Sequence, residues 1–581
     1  MNKADLIAAL IIGISLVLSI TSFWNDSLIV DEIPHVGAGY GYVNKLDYRL
    51  NPEHPPLAKA IGALPLLFLD LKQSAFLTKF WTTDINGQWD FGRFFIFQSG
   101  NNADMITQVV KLPILIFFVI AAIQVYFWAK KMYGKFAALT TLTLFAFSPT
   151  ILAHSRFVTT DLPALFGILL ATFFFLQYLF NPNQKNLWLA GVTFGIAMLT
   201  KFSTFLVVPY FLVLALIYGL TKTPKILNAR YHILNTLLIF VIGFVFVVWP
   251  VYYLFTFNYP AERQLADTKF LLGSFGNRTL AEIVEWTADK PVIRALGQYG
   301  LGLLMVGQRA VGGNTTYFLG EVSAKGWWYY FPVVYLLKEP LAWLIMLALV
   351  LIFLVWQRGR LNFVEFAMLL WIAIYWITSI KSNLNIGVRH LLPVYPFMIV
   401  LVAGQISKIK NILKIKSKKI LYSIFCVLYS VLMIWYVLEN IVSWPNYLSY
   451  FNQLAFLRPS WATEGQAGGG YLYVVDSNLD WGQDLKRLSD WVKKNNIKEI
   501  HLDYFGWSDP AYYLGSKFIW LTAGQYKDAQ DFVAKTGGGY LAVSANFYMS
   551  SRQNPTTSYG WLDEHKPVAV IGNSIWVWEL R

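Results

Sequence analysis

The feature that most constrains this chain is a succession of apolar runs, each close to the ~20 residues a helix needs to cross the hydrocarbon of a bilayer. Eleven are read, at about 5–24, 112–129, 136–153, 162–180, 186–200, 202–220, 232–256, 338–356, 363–380, 390–406 and 420–438. In lipid every backbone polar group must be bonded within the chain, so such runs fold as a bundle of helices. Composition agrees: 56% of the 581 residues are apolar and only 14% charged, with a mean hydropathy of +0.47. A soluble domain carries about 25% charged residues. An ordinary cytosolic enzyme, a disordered tail and a disulfide scaffold are therefore excluded. The single cysteine, Cys426, lies inside an apolar run and offers neither a disulfide nor a cysteine-based zinc site. The net charge of +14 is scattered through short gaps between runs rather than set in a stripe, so no nucleic-acid partner is expected. The expected partner is the lipid bilayer, with Trp and Tyr anchoring its interfaces. No small-residue cleavage site follows the first run, where Ser22-Phe23-Trp24-Asn25-Asp26 stands instead, so it reads as a retained span.

Lys and Arg in the short loops set orientation. With the N-terminus in the cytoplasm, the inner loops hold fifteen: Lys130, Lys131, Lys135, Lys185, Lys222, Lys225, Arg230, Arg358, Arg360 and six between Lys408 and Lys419. The outer loops hold four: Arg156, Lys201, Lys381 and Arg389. Eleven spans then place the C-terminus outside. The expected location is the plasma membrane of a bacterium, with a helical domain at 1–440 and an external domain at 441–581. External loops are expected at about 25–111 and 257–337. The tail reads as a small α/β layer: strand Tyr471–Val475, helix Gln483–Lys494, strands Ile500–Phe505 and Tyr540–Ser544, and a closing strand Val568–Leu580.

Charged residues gather at the outer ends of the runs. Asp31-Glu32 follows the first span, and Asn51-Pro52-Glu53-His54-Pro55-Pro56-Leu57-Ala58-Lys59 follows twenty residues later. Arg156 and Asp161 flank one outer connection, Lys201 sits in a tight reversal, and Arg389-His390 opens the tenth span. Each has an ordinary explanation: Asp31 and Asp161 as helix caps, Arg156 reaching for headgroups, the prolines as a turn. Together they make a site with one or two acids and several cations at the lipid surface. That chemistry suits a phosphate-bearing lipid and a hydroxyl acceptor, since a carboxylate within hydrogen-bond reach can take the hydroxyl's proton.

These segments resemble the GT-C superfamily of lipid-phosphate-sugar glycosyltransferases. They are similar in particular to bacterial protein O-mannosyltransferase-like enzymes and to the aminoarabinose transferases of lipid A. Beyond Asp31-Glu32 and the Glu53–Lys59 segment, the resemblance runs through Arg156…Asp161-Leu162-Pro163, Leu199-Thr200-Lys201, Gly326-Trp327-Trp328-Tyr329-Tyr330-Phe331-Pro332 and Arg389-His390-Leu391-Leu392-Pro393, over about residues 1–405. It implies Asp31 as the catalytic carboxylate, Glu32 as its neighbour and Asp161 as a second acidic position. Arg156 and Lys201 would hold the carrier phosphate, with His54, Lys59 and Arg389 as further phosphate contacts. Asp476–Asp484 looks like the tail of bacterial and archaeal relatives, and no β-trefoil module is inserted between spans.

The activity so implied is inverting transfer of a sugar, mannose or another hexose, from a polyprenyl-phosphate carrier to an acceptor hydroxyl on the external face. The acceptor is a protein, a lipid or a glycan. No nucleotide-binding motif is present. A divalent cation is left open, with Glu53, His54 and His154 as candidate ligands, although no two histidines have helical ligand spacing. A transporter or flippase of a phosphate-bearing lipid, or a non-catalytic membrane assembly protein, would also account for the spans. Neither accounts as well for charge gathered at the outer ends.

Overall fold

The computed structural model describes residues 3–357, 361–415, 419–463, 466 and 468–581, and the expected inner-loop residues Arg358, Arg360, Lys416 and Lys418 lie outside them. Most of the chain is helical. Among the described residues eight helices are long and apolar enough to cross a membrane, or ten if each of two bent pairs is one span. The first, Lys3–Phe23, shows how the sequence is used. Leu6, Leu10, Ile14 and Val17 are exposed along one stripe, while Ser15, Ser19 and Ser22 are buried. Ser19 bonds Ser155 through their hydroxyls at 3.0 Å. Without a hydrophobic drive between helices in lipid, small and hydroxyl residues make the contacts and aliphatic ones face outward.

Three of the eleven expected runs differ. The run at 136–153 is two helices, Lys135–Ala146 and Pro149–Ser155, bent by 60°. Ser148 accepts the N–H of Ile151 and caps the second, and Pro149 stands in its first turn. The run at 338–356 is the helix Leu341–Gln357, set off at its start by a sharper bend, 117°, from Tyr330–Lys338. Pro340 lacks the N–H a continuing helix would use. The run at 186–200 becomes the fifteen-residue helix Gln184–Met198. It is too short to count as a crossing, yet it packs closely: a Cβ on Gly195 would lie 2.7 Å from the carbonyl oxygen of Gly243.

The tail carries a five-stranded sheet. Two short strands occur earlier, β1 (Thr316–Phe318) and β2 (Glu321–Ser323), as a hairpin. In the tail, β3 (Ile500–Asp503), β4 (Phe518–Trp520), β5 (Gly539–Ser544), β6 (Ala569–Ile571) and β7 (Ile575–Leu580) are ordered β4-β3-β5-β7-β6. The first three run parallel, and β7 is antiparallel to both its neighbours. The expected strand Tyr471–Val475 is instead a 3₁₀ turn, Gly470–Leu472, with one bridge from Val474 to Phe318. The closing segment is a hairpin rather than one strand, because Gly572 and Asn573 turn it with φ of 56° and 65°. The expected helix forms as Leu485–Lys494. The sheet's residues join the spans in a single hydrophobic core. Ser27 N–H donates to the Gln483 carbonyl, and Val30 N–H to that of Trp481, at 2.9 Å each. The tail is therefore bonded to the chain just past the first span.

Candidate functional site

A cavity of about 680 Å³ opens where the first loop, several span ends and the tail meet. Asp31, Glu53, His54, Asp161, Lys201 and Arg389 all line it. Four of them form one ionic row. Lys201 Nζ lies 2.6 Å from Asp161 Oδ1. Arg389 reaches Asp161 Oδ2 at 3.3 Å and Asp31 Oδ2 at 3.0 Å. Residues up to 358 positions apart are thereby joined.

Local structure sets each position. Asp31 stands at the N-terminal boundary of the helix Glu32–Lys45, but its side chain makes no cap bond; it turns to Arg389 instead. Asp161 is the first residue of Asp161–Phe180. Lys201 is extended, with φ of −158°, in the reversal before Phe202. Arg389 projects from a 3₁₀ segment, Val388–Val394, that precedes the long helix Tyr395–Ile415. The side chain of Asp31 is 27% exposed and that of Asp161 1%. Asp31 is thus the carboxylate of the row open to an incoming group.

Histidines make a second layer. His54 meets His35 edge-on at 5.1 Å, and His35 Nδ1 lies 2.7 Å from the Val158 carbonyl. Burial lowers His35 to about 4, and His54 well below the usual imidazole range. Both are neutral at pH 7, so His54 can offer phosphate a neutral N–H but not a charge.

Three expected site residues lie elsewhere. Glu32 is fully buried; it accepts N–H bonds from Ile29 and Val158 and sits 3.3 Å from Lys111. Burial raises its pKa despite Lys111. It fixes the loop that carries Asp31. Lys59 is also fully buried, its Nζ within 2.7–2.9 Å of the Asn51 and His54 carbonyls, Asn51 Oδ1 and the Tyr42 hydroxyl. It ties the Asn51–His54 turn from beneath rather than facing the cavity. Arg156 is 1% exposed, with Asp26 at 3.1 Å and Ser22 Oγ at 3.0 Å. Its guanidinium is spent on a sealed cluster that also holds Arg487, paired with both Asp26 and Asp484. Of the candidate metal ligands, Glu53 and His54 line the cavity, but His154 packs against the rings of Phe157 and Trp481. No group of three His, Cys, Asp or Glu able to hold a metal occurs among the described residues.

The cavity also holds residues to which sequence reading gave no role. The ring of Trp481 lies 4.0 Å from the Arg389 guanidinium, a cation–π contact that fixes its plane. Asp476 lines the cavity in the left-handed region, with φ of 59°, and burial raises its carboxyl to about 6. Arg309 and His390 complete the charged and titratable lining. Asp476 and Trp481 belong to the tail segment singled out from the sequence; Arg309, on an amphipathic helix of the second loop, carries no local signal.

Residues 103–249 match the model of a family described as dolichyl-phosphate-mannose-protein mannosyltransferase. Among solved structures the chain is similar to the archaeal oligosaccharyltransferase AglB from Archaeoglobus fulgidus, in complex with an inhibitory peptide and a dolichol-phosphate. The identity there is 13%, over 97% of this chain and 75% of that one, with a TM-score of 0.46. It is also similar to ArnT from Cupriavidus metallidurans bound to undecaprenyl phosphate, at 12% identity over 100% and 98% of the two chains and a TM-score of 0.45. Against the S. cerevisiae protein O-mannosyltransferase Pmt1-Pmt2 complex bound to the sugar donor, the identity is 20% over 44% and 34%, with a TM-score of 0.34. No curated protein matches the sequence. The family match over residues 103–249 takes in Asp161 and Lys201, two of the four members of the ionic row.

Proposed function

We propose that this protein transfers a sugar from a polyprenyl-phosphate carrier to an acceptor hydroxyl, and that the cavity is where it does so. The observation that carries the reading is the ionic row itself: an accessible carboxylate, Asp31, on Arg389, which a buried carboxylate, Asp161, shares with Lys201. In this reading Asp31, whose own partner in the row is Arg389, takes the proton of the acceptor hydroxyl as the oxygen attacks the anomeric carbon. The new C–O bond forms from the face opposite the phosphate and inverts that centre. The bond from the anomeric carbon to the phosphate oxygen breaks, its electron pair leaving with the polyprenyl phosphate. Lys201 and Arg389 stabilise the charge this oxygen gains, with His54 as a neutral donor. Asp161 holds both cations in place. Arg156, given this task on sequence, supports the fold instead.

The cavity is assigned to the external face. The fifteen-to-four imbalance of Lys and Arg between the short loops supports that placement.

The test is to incubate the purified protein with radiolabelled polyprenyl-phosphate sugars and membrane extract, and to identify the labelled product. Transfer by the wild type and its loss in Asp31→Asn is the expected result. Full transfer by that variant overturns the assignment of the base.

A further inference from the structure

The lining of the cavity contains two distinct sets of apolar side chains. Phe202, Leu206 and Tyr375 come from the membrane-spanning helices. Trp89, Phe505, Trp507 and Phe547 come from the first loop and the tail, outside any span. Trp89 and Trp507 lie 5.0 Å apart at 34°, and Phe505 and Phe547 lie 5.6 Å apart at 90°. All four rings are only half-buried. Rings that merely fill a core are closed over by their neighbours, whereas these keep surface turned to the cavity. Glu53, Asn546 and Ser550 line the same cavity and offer a carboxylate, an amide and a hydroxyl.

We propose that this second set is a subsite for a saccharide acceptor; the proposal rests on the glycosyl-transfer reading above and names its acceptor class. A pyranose is amphipathic in the matching way, with C–H groups on one face and hydroxyls around its edge. The face lies on the rings, and the hydroxyls bond to Glu53, Asn546 and Ser550. Pockets of this kind combine aromatic walls with a few placed polar groups. Two other acceptors fit less well. An extended peptide is commonly taken up by adding a strand to a free sheet edge. The edge strands of the tail sheet are β4 and β6, and neither contributes a residue to the cavity. An acyl chain is matched by the set built from the spans, not by rings interleaved with polar groups.

The experiment uses the full chain in lipid nanodiscs. Binding of a hexose disaccharide, an amino-sugar disaccharide and a Ser/Thr-rich peptide is followed by saturation-transfer NMR, and binding of polyprenyl monophosphate is measured in parallel. At least one disaccharide is expected to bind, about tenfold more weakly to Trp507→Ala and with near-normal affinity to Trp507→Phe, which keeps a ring. Phe547→Ala is expected to weaken the same ligand, with polyprenyl monophosphate binding unchanged in all variants. Binding of the peptide alone, or disaccharide binding indifferent to both alanine variants, overturns the saccharide subsite. Failure of the wild type to bind polyprenyl monophosphate overturns the glycosyl-transfer reading instead.

Discussion

Two ionic clusters lie close to the C-terminal end of the first span, and they are built from the same materials. Asp31–Arg389–Asp161–Lys201 has two carboxylates and two cations from distant parts of the chain. Asp26–Arg156–Arg487–Asp484 has the same count. The first borders a cavity and leaves Asp31 27% exposed. In the second both aspartates are at 0% and Arg156 at 1%, and only Arg487, at 14%, reaches the surface. Charge complement alone therefore does not tell the two clusters apart; access does. A sealed cluster answers to removal of one partner as a stability loss, because the remaining charge is left buried and unpaired. An open one answers chiefly as lost chemistry.

The sharpest way to break this contrast is Asp31→Asn. Positioned proton transfer is worth about 10²–10⁴-fold, so turnover should fall by that much while the thermal midpoint in detergent stays near that of the wild type. A large drop in the midpoint would show that Asp31 is a fold element like Asp26. Arg156→Met is the mirror experiment. Loss of one partner of a buried pair costs about 3–5 kcal/mol; Asp26 keeps Arg487, so the loss should lie below that range but remain readable by thermal unfolding. Whatever protein remains folded should keep its turnover, and a folded but inactive variant would return Arg156 to the site.

How much of this was legible in the sequence follows from the same two clusters. The lengths of the apolar runs foretold most of the spans, since lipid imposes a length on any helix that crosses it. Asp31, Asp161, Lys201, Arg389 and His54 were each marked by an outer position and reached one cavity. Arg156 was marked in the same way and went elsewhere. Nothing local separates it from Arg389, because what decides is the partner: Asp26 is 130 positions before it, and Arg487 arrives from the tail to share that aspartate. Lys59 failed for a related reason. A lysine after a Pro-Pro turn looks presented, but the helix Leu57–Ala63 turns it under the loop toward the Asn51 and His54 carbonyls. The breaks at Pro149 and Pro340 carried a signal that apolar length masked. The strand Phe518–Trp520, three residues long, gave too short an alternation to read.

A smaller effect is expected from Lys201→Met. Removal of one donor to a developing oxyanion costs about 10²–10³-fold, read as turnover with saturating donor. Lys201 is 13% exposed against 1% for Arg156, so the thermal midpoint should fall less than in Arg156→Met. An equal fall would place Lys201 in the scaffold and leave Arg389 as the cation acting on the leaving group.

The smallest effect separates the clusters by pH. Burial raises the Asp476 carboxyl to about 6, while Arg389 pulls it in the opposite direction. An unfolded aspartate titrates near 3.9, so the folded chain binds this proton more tightly than the unfolded one. Stability from this group is present at low pH and is lost as pH rises from about 4 to 6; above that the buried charge remains a cost. Asp476→Asn removes the cost, and asparagine tolerates the left-handed φ of 59°. The variant should therefore gain on the wild type at pH 8 but not at pH 4.5. The gain is about 1 kcal/mol once the solvent reaching the cavity is allowed for. Burial raises Asp484 as well, in spite of Arg487, so the same linkage applies to it; Asp484→Asn in addition leaves Arg487 with Asp26 alone and should therefore gain less at pH 8 than Asp476→Asn. If Asp484→Asn gains as much at pH 8 as Asp476→Asn does, access to the cavity is not what divides the two clusters.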